Sequence, residues 1–254
     1  MTRHLYPLSD VAGFRRRNNA NWRAITDFWL DAPLAHVHHV GASLCARVLQ
    51  ATTQPVQTIL DMGCGNAWLL RGLREAGWRG RYTGVDNNER LIVALRARYA
   101  EDADAVFECR DVELGEAFGR APVNVVVNAF NFFELPDLAR GFAWAAGHMT
   151  TGGALVVATI DPLAQILAIS TSAEELAEAL SEWQAAGEIL AYDKTIDVEG
   201  GVNSQTYSGI LYSLADFVAA AKHRGLRLED IEEVRKTARM PPQVYELLTF
   251  RRPA

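Results

Sequence analysis

Apolar and polar residues alternate along the chain with two different spacings. Short β-branched and apolar runs, typical of buried strands, are each followed by a segment whose apolar residues have helical spacing. This order predicts an α/β fold with a mainly parallel sheet, whose ligands lie at the carboxyl ends of the strands. The strands predicted in this part are Val56–Leu60, Arg81–Asp86, Ala105–Val112, Pro122–Val127 and Ala154–Asp161.

The pattern changes after Asp161. Two helices follow without a strand between them, and two extended runs around a glycine-rich turn then predict a β-hairpin. The last two strand-like runs have no helix between them, so we expect them to pair antiparallel. The predicted elements are helices at Leu163–Ser170, Ala173–Ala186 and Leu214–Arg224, hairpin strands at Ile189–Val198 and Ser204–Tyr212, and final strands at Leu228–Val234 and Val244–Phe250.

The N-terminal segment, to about Gln50, has no strand signal. Its first predicted helix has an aromatic face, and Asn19 or Asn21 is placed to cap it. Either this helix packs on the body of the domain, or it forms a lid that closes over a bound ligand. The face consists of Trp22, Ile25, Phe28 and Trp29.

Two clusters in this segment are candidates for chemistry. Arg15–Arg17 is typical of a solvated face, and a carboxylate-binding arginine is the alternative. A second predicted helix, Leu34–Leu49, carries His36, His38 and His39. His36 and His39 have the spacing of metal ligands but no carboxylate or thiolate beside them, so we predict no metal site here.

The most informative stretch joins the first predicted strand to its helix. The strand ends at Asp61, the chain passes through Gly63 and Gly65, and helical spacing begins at Ala67. Glycine is needed in such a turn where the backbone must approach a ligand closely. Asp86 ends the next strand about 20 residues later, where an acid can accept hydrogen bonds from ribose hydroxyls or cap the following helix, or do both.

Composition and charge narrow the class of protein. The chain has 254 residues, a net charge of -6 and three widely separated cysteines, Cys45, Cys64 and Cys109. An odd, scattered set of cysteines predicts a reducing compartment, and the acidic balance argues against nucleic acid as a partner. No apolar run has the length of a membrane span and no signal-peptide core follows Met1, so we expect a cytoplasmic protein without membrane contact.

In combination, these motifs resemble class I S-adenosylmethionine-dependent methyltransferases. The resemblance covers about Val56–Ile160 and Tyr212–Pro253, and it implies a doubly wound, seven-stranded sheet whose last strand is antiparallel. It is carried by Asp61-x-Gly63-x-Gly65, Asp86, Asp111-Val112, Asn128-Ala129-Phe130, Gly152-Gly153 and the closing strand pair. We expect one domain, divided into an N-terminal helical lid (1–52), a cofactor-binding core (56–160), a substrate-side insert (162–212) and a C-terminal helix with a strand pair (213–254).

The resemblance implies S-adenosylmethionine as the cofactor and gives roles to the turn and the first two acids. Asp61 would reach the amino group of the cofactor, directly or through water. Gly63 and Gly65 would let the backbone approach its methionine and ribose portions. Asp86 would bind the ribose hydroxyls, with Asn87 near the adenosine.

Further roles follow from the same resemblance for residues after the third and fourth predicted strands. Asp111 would accept the adenine amino group, and the amide of Val112 would contact a ring nitrogen. Asn128 would offer its backbone carbonyl to the methionine end. Phe130 and Phe133 would wall the sulfonium pocket, because aromatic faces favour cations. Core packing is the alternative for Val112 and both phenylalanines, and a strand-end cap is the alternative for Asn128.

Two departures from related patterns bear on the class of enzyme. The third glycine of the family falls at Ala67, which is still small. In a dinucleotide oxidoreductase the third glycine of the turn would fall at Trp68, which is too large for close helix–strand packing. A nicotinamide enzyme is therefore disfavoured. Asn128 is followed by Ala129-Phe130, which is not the motif of enzymes that methylate nucleobase or glutamine nitrogen, and its amide predicts no catalytic metal.

We expect methyl transfer to a small organic acceptor by in-line displacement, with catalysis mainly by positioning and desolvation. The alternatives are an RNA or protein methyltransferase and a non-catalytic protein that binds S-adenosylmethionine. No general base is assigned, and each candidate also has a structural interpretation. The candidates are Glu134, Asp161, His38, His39, Tyr192 and Tyr207.

Overall fold

The computed structural model describes residues 5–31, 38–115, 119–186, 189–198, 203–236 and 243–253. Two β-sheets and the helices packed on them make up this part of the chain. The helices are α1 (Val11–Ala24), α2 (Thr26–Asp31), α3 (His38–Gln50), α4 (Trp68–Glu75), α5 (Glu89–Arg98), α6 (Leu138–Gly147), α7 (Pro162–Ile169), α8 (Ala173–Ala185) and α9 (Leu214–Lys222). The strands are β1 (Leu5–Pro7), β2 (Thr58–Met62), β3 (Arg81–Asp86), β4 (Ala105–Cys109), β5 (Val123–Ala129), β6 (Met149–Ile160), β7 (Leu190–Val198), β8 (Asn203–Ile210), β9 (Arg227–Lys236) and β10 (Gln243–Arg251).

The larger sheet has seven strands in the order β4-β3-β2-β5-β6-β10-β9. Strands β2 to β6 pair in parallel, while β10 runs antiparallel to both of its neighbours. Ile59 and Leu60 in the inner strand β2 are fully buried because helices cover both faces of the sheet. The predicted fold class, a seven-stranded and mainly parallel sheet with its last strand reversed, is confirmed.

The smaller sheet has the order β1-β7-β8. The predicted hairpin forms its β7 and β8 strands. The prediction that the N-terminal segment contains no strand is wrong, since Leu5–Pro7 pairs antiparallel with Leu190–Tyr192. A strand of three residues has too few positions to show a period, and its backbone becomes ordered only by pairing with the distant insert.

The N-terminal helix begins earlier than predicted. Asp10 is its cap and accepts a hydrogen bond from the Gly13 amide at 2.8 Å. The prediction that Asn19 or Asn21 caps the helix is wrong, because both lie inside α1. The aromatic face is also divided between two helices, since the α-helical backbone is interrupted at Ile25.

Helix α1 closes the free edge of β8. The Asn18 carboxamide, which is buried, donates to the Ser208 carbonyl at 2.6 Å and accepts from the Ser208 amide at 2.8 Å. One side chain thus supplies the pair of hydrogen bonds that a neighbouring strand would make. The helix is thereby fixed to the smaller sheet at one of its turns, and its next turn lies over the larger sheet.

One more boundary differs from the prediction. The third strand of the α/β pattern ends at Cys109 rather than Val112, because the Asp111 side chain accepts from the Glu113 amide and starts a 3-10 turn at Val112–Leu114.

Within the described residues, no helix has the length and apolar content needed to cross a membrane.

Candidate functional site

The glycine turn lies at the carboxyl end of β2. Gly63 and Cys64 donate their amides to the Val85 carbonyl at 2.8 and 3.0 Å. Gly63 has φ +69° and Gly65 has φ +51°, a region that favours glycine. A Cβ atom at Gly63 would lie 2.7 Å from Asn131 Cγ, and one at Gly65 would lie 2.9 Å from Trp29 Nε1. Both glycines are therefore required by backbone conformation and by close neighbours.

Ala67, which stands where the family pattern has its third glycine, has a strained backbone conformation. Ala67 is fully buried and has φ +59°, in the left-handed region. A Cβ atom in this region costs about 1 to 2 kcal/mol relative to glycine. Ala67 keeps this conformation as the residue that precedes α4, which begins at Trp68.

Asp61 is a buried acid with one oxygen left over. Its Oδ2 accepts a 2.5 Å hydrogen bond from the Tyr82 hydroxyl, whereas its Oδ1 is buried and has no hydrogen-bond partner in the described part of the chain. The pKa of Asp61 is raised to about 7, mainly by burial; the Tyr82 hydroxyl opposes the rise, and the charge of Asp86 adds to it. A buried carboxylate oxygen without a donor is suited to a ligand that brings one.

Asp86 lies at the end of β3, beside the glycine turn. Its Oδ2 accepts from the Gly65 amide at 3.2 Å, and its Oδ1 accepts from the Asn88 amide at 3.0 Å. Asn88, rather than Asp86, caps α5. Burial raises the pKa of Asp86, and the backbone amides of Asn88, Gly65 and Asn87 oppose the rise. A carboxylate has about four acceptor sites, so Asp86 keeps some capacity for further hydrogen bonds.

Asp111 follows β4 and is bound by a side chain from α1. Arg15 Nη2 lies 3.1 Å from Asp111 Oδ2, and the same guanidinium pairs with Glu113. Burial raises the pKa of Glu113 to about 7, and the Arg15 charge opposes the rise. Arg15 thus binds carboxylates of the protein itself, which was one of the two interpretations of the arginine cluster. Val112 is buried in the hydrophobic core.

Helices α1 and α2 cover this edge of the sheet, and two asparagines after β3 fix them. Asn87 Nδ2 donates to Asn19 Oδ1 at 3.1 Å, and Asn88 Nδ2 donates to Thr26 Oγ1 at 2.8 Å. In the turn itself, the Asn66 side chain donates to the backbone carbonyl of α2 residue Trp29 at 2.9 Å. The two N-terminal helices therefore contact the turn and the segment after β3 directly.

The loop after β5 forms the opposite wall. Asn128 is fully buried, and its side-chain oxygen accepts from the Phe132 amide at 2.8 Å, so its side chain is a strand-end cap. Phe130 has φ +63° and its ring packs edge-on against Tyr245 at 5.5 Å. Phe133 is also buried. At the end of this loop, Glu134 Oε2 accepts a 2.8 Å hydrogen bond from the indole of Trp22.

The remaining catalytic candidates lie elsewhere or outside the described residues. Asp161 caps α7 by accepting from the Ala164 amide at 2.7 Å. Tyr192 is buried in the hydrophobic cluster between the smaller sheet and helices α7 and α8. The side chains of His38, His39 and Tyr207 lie outside the described part of the structure, and so does the whole of His36. Glu134 is the candidate that the described structure brings to the covered edge.

Residues 59–153 match the family model described as "Methyltransferase domain". This segment is similar in sequence to methyltransferase domains. It contains the glycine turn and all three strand-end acids, and the resemblance to class I methyltransferases is confirmed for this segment and for the fold.

Solved structures share the fold beyond the methyltransferase domain. The CcbJ methyltransferase from Streptomyces caelestis is 19% identical, with 91% of this chain and 96% of that chain covered and a TM-score of 0.62. The 1,6-didemethyltoxoflavin-N1-methyltransferase of Burkholderia thailandensis, solved with 1,6-didemethyltoxoflavin and S-adenosylhomocysteine, is 15% identical, with 98% and 93% covered and a TM-score of 0.62. At these identities the likeness establishes the fold.

A curated relative matches a shorter stretch. The ribosomal protein L11 methyltransferase of Burkholderia mallei (strain NCTC 10229) is 40% identical over 58 residues. The match spans 23% of this chain and 19% of the relative's length. It therefore concerns a part that the two proteins share and not the whole of either one.

Proposed function

We propose that the protein is an S-adenosylmethionine-dependent methyltransferase that acts on a small organic acceptor. The observation that carries this proposal is the row formed by Asp61, Asp86 and Asp111 along the carboxyl edge of the sheet, beside the glycine turn of a methyltransferase domain. Acids at this edge are placed to bind the polar groups of a nucleoside ligand.

The residues present fit such a cofactor. The unpartnered Oδ1 of Asp61 offers an acceptor for an amino group, and Asp86 retains acceptor capacity for ribose hydroxyls. Gly63 and Gly65 adopt positive φ angles and keep the turn free of Cβ atoms beside these two acids, with Asn131 and Trp29 as their close neighbours. The residues proposed to hold S-adenosylmethionine are Asp61, Gly63, Gly65, Asp86, Asn87, Asp111, Val112, Asn128 and Phe130.

When bound, S-adenosylmethionine supplies a methyl group already activated on a positively charged sulfur. The chain then has to hold the acceptor in line with that group and keep water away. Helices α1 and α2 are suited to the second task, because Trp29 lies against Gly65 and Trp22 packs on Trp29 and binds Glu134. We therefore propose that residues 1–52 act as a lid within a single domain of residues 1–254, around the core of residues 56–160.

A small acceptor is favoured by the position of the insert, residues 162–212. Its strand β8 is bound to α1 through Ser208, and α1 carries Trp22 one turn further on. The insert thus stands beside the covered edge, where it can enclose an organic molecule. Methylation of a protein is the second candidate, favoured by the 58-residue match to ribosomal protein L11 methyltransferases.

The cofactor assignment is tested by calorimetry with S-adenosylmethionine. We expect the purified protein to bind it, and we expect Asp86→Asn to weaken the affinity by at least about 100-fold, since two hydrogen bonds to a charged acceptor are lost. Asp137→Asn, which changes an exposed acid that caps α6, is the control and should bind normally. Near-normal affinity of the Asp86 variant would refute the ribose assignment.

The acceptor class is tested by turnover. Formation of S-adenosylhomocysteine is measured with a panel of small amines, phenols and heterocycles, and separately with ribosomal protein L11. Turnover with the panel alone supports the small-acceptor proposal, and turnover with L11 alone replaces it by the second candidate. Binding of S-adenosylmethionine without any turnover would favour a non-catalytic binding protein.

A further inference from the structure

Glu134 is a half-buried acid without a cation in the described part of the chain. Its Oε2 accepts from Trp22 Nε1 at 2.8 Å, and no described arginine or lysine pairs with it. The charged group that acts on the pKa of Glu134 is Asp86, which is also an acid. Carboxylates withdrawn from water are ordinarily paired with a cation or held neutral, so the position favours a ligand that brings a positive charge.

The position of Glu134 relative to the glycine turn shows where that charge would lie. Glu134 ends a 3-10 turn, Phe132–Glu134, and Asn131 directly precedes this turn. Asn131 comes so close to Gly63 that a Cβ atom on Gly63 would lie 2.7 Å from Asn131 Cγ. On the other side, the rings of Trp22 and Trp29 meet edge-on at 5.5 Å, and Trp29 Nε1 faces Gly65. The Glu134 carboxylate, the indoles of Trp22 and Trp29, and the glycine turn thus lie around the same site.

A carboxylate beside aromatic rings is a chemically specific combination. Aromatic faces attract cations through the ring quadrupole, and a carboxylate adds a full opposite charge. Asp61 and Asp86 already have proposed partners in the amino and ribose groups of the cofactor. The positive sulfur is the cationic centre of S-adenosylmethionine that the proposed contacts leave without a counter-charge.

Resting on the proposed function, we propose that Glu134, oriented by the Trp22 indole, is the counter-charge for the sulfonium of S-adenosylmethionine. Its role is discrimination between donor and product. The sulfur is cationic before methyl transfer and neutral afterwards, so the attraction to Glu134 exists for the donor alone. The same residue would therefore strengthen binding of the donor and ease release of the product.

The test compares three ligands that share adenosine and the amino acid end. S-adenosylmethionine carries a sulfonium, sinefungin carries an amine at the equivalent position, and S-adenosylhomocysteine carries a neutral thioether. Affinities are measured by calorimetry at a pH of about 9, above the pKa of about 8 to which burial raises Glu134. The full-length protein is compared with Glu134→Gln and with Asp137→Asn as the matched control.

We expect Glu134→Gln to lower the affinity for S-adenosylmethionine and for sinefungin on the order of tenfold. The affinity for S-adenosylhomocysteine should fall by less than about twofold. Asp137→Asn should leave all three affinities unchanged. An equal loss for all three ligands, or no loss for any, would overturn the proposal. If the unmodified protein bound none of the three, the proposed function itself would fail, which is a different result.

A second variant keeps the proposal testable if Glu134→Gln does not fold. Trp22→Phe retains an aromatic ring and removes the N–H that holds the carboxylate. We expect it to reduce the preference for S-adenosylmethionine over S-adenosylhomocysteine by roughly two- to fivefold, because loss of one hydrogen bond to a charged acceptor weakens the ionised form. An unchanged preference would contradict the assignment.

Discussion

Replacing Asp61 by asparagine should stabilise the ligand-free protein at alkaline pH and leave its stability at acidic pH nearly unchanged. Asparagine has the same shape and can still accept the Tyr82 hydroxyl hydrogen bond, which is 2.5 Å long in the wild type. It carries no charge, so it avoids burying a carboxylate whose Oδ1 has no partner in the described structure.

The magnitude follows from the pKa of Asp61, which burial raises from 3.8 to about 7 on folding. Between these values the folded protein holds a proton that the unfolded chain has released, so wild-type stability falls as the pH rises. Above about pH 7 the loss is complete. Between about pH 5 and pH 8 the wild type should lose about 2 to 3 kcal/mol that the asparagine variant does not lose.

Thermal unfolding measures this difference. For a domain of this size, about 2 to 3 kcal/mol corresponds to a change in Tm on the order of 5 to 10 °C. The Tm of Asp61→Asn minus that of the wild type should therefore increase by this amount from pH 5 to pH 8. Asp104→Asn, which changes an exposed acid beside β4, is the control and should show no such trend.

The expected gain in stability has a functional cost. Asparagine places an amide where a carboxylate would bind the amino group of the cofactor, so the stabilised variant should bind S-adenosylmethionine more weakly. A Tm difference that is the same at both pH values would show that Asp61 is ionised throughout the range and would refute the reasoning. So would a difference that shrinks as the pH rises.

Two further variants test the turn and the helix that covers it. Gly65→Ala should weaken S-adenosylmethionine binding at least about tenfold, because the new Cβ would meet Trp29, and Gly77→Ala is its control, having φ +86° but no neighbour within 4 Å. Calorimetry compares the affinities of the two variants for S-adenosylmethionine. Equal affinities would show that the contact between the new Cβ and Trp29 does not weaken binding. Asn18→Ala should lower stability by about 2 to 4 kcal/mol in denaturant unfolding, since it leaves both backbone groups of Ser208 unpaired at a buried site. A loss below about 1 kcal/mol would mean that water replaces the carboxamide.

The larger sheet could be predicted from sequence because its signals are local. Central parallel strands are apolar on both faces, and the acids Asp61 and Asp86 follow directly from where β2 and β3 end. The antiparallel closing pair followed from the lack of a helix between its strands. The short strand Leu5–Pro7 could not be found in this way, because its pairing partner lies in the insert.

The contacts that cover the site were also beyond local reasoning. Arg15 meets Asp111 across 96 positions of sequence, and Trp22 meets Glu134 across 112. The arginine cluster is typical of a solvated face, and its alternative interpretation, a carboxylate-binding arginine, did not show which carboxylate is bound. The predicted caps at Asn19 and Asn21 failed for a related reason. An asparagine near a helix end is a cap signal, but the Asn19 carboxamide instead bonds to Asn87, after β3.

The position of α1 between the two sheets also limits how this protein can be recombined with its structural neighbours. The helix contacts β8 through Asn18 and the edge of the larger sheet through Arg15, Asn19 and Trp22. A chimaera that exchanges the insert alone would lose the hydrogen bonds between Ser208 of the insert and Asn18 of α1. Chimaeras that change acceptor preference should therefore transfer residues 5–31 together with residues 162–212 as one cassette, and keep the asparagines that follow β3 in the recipient.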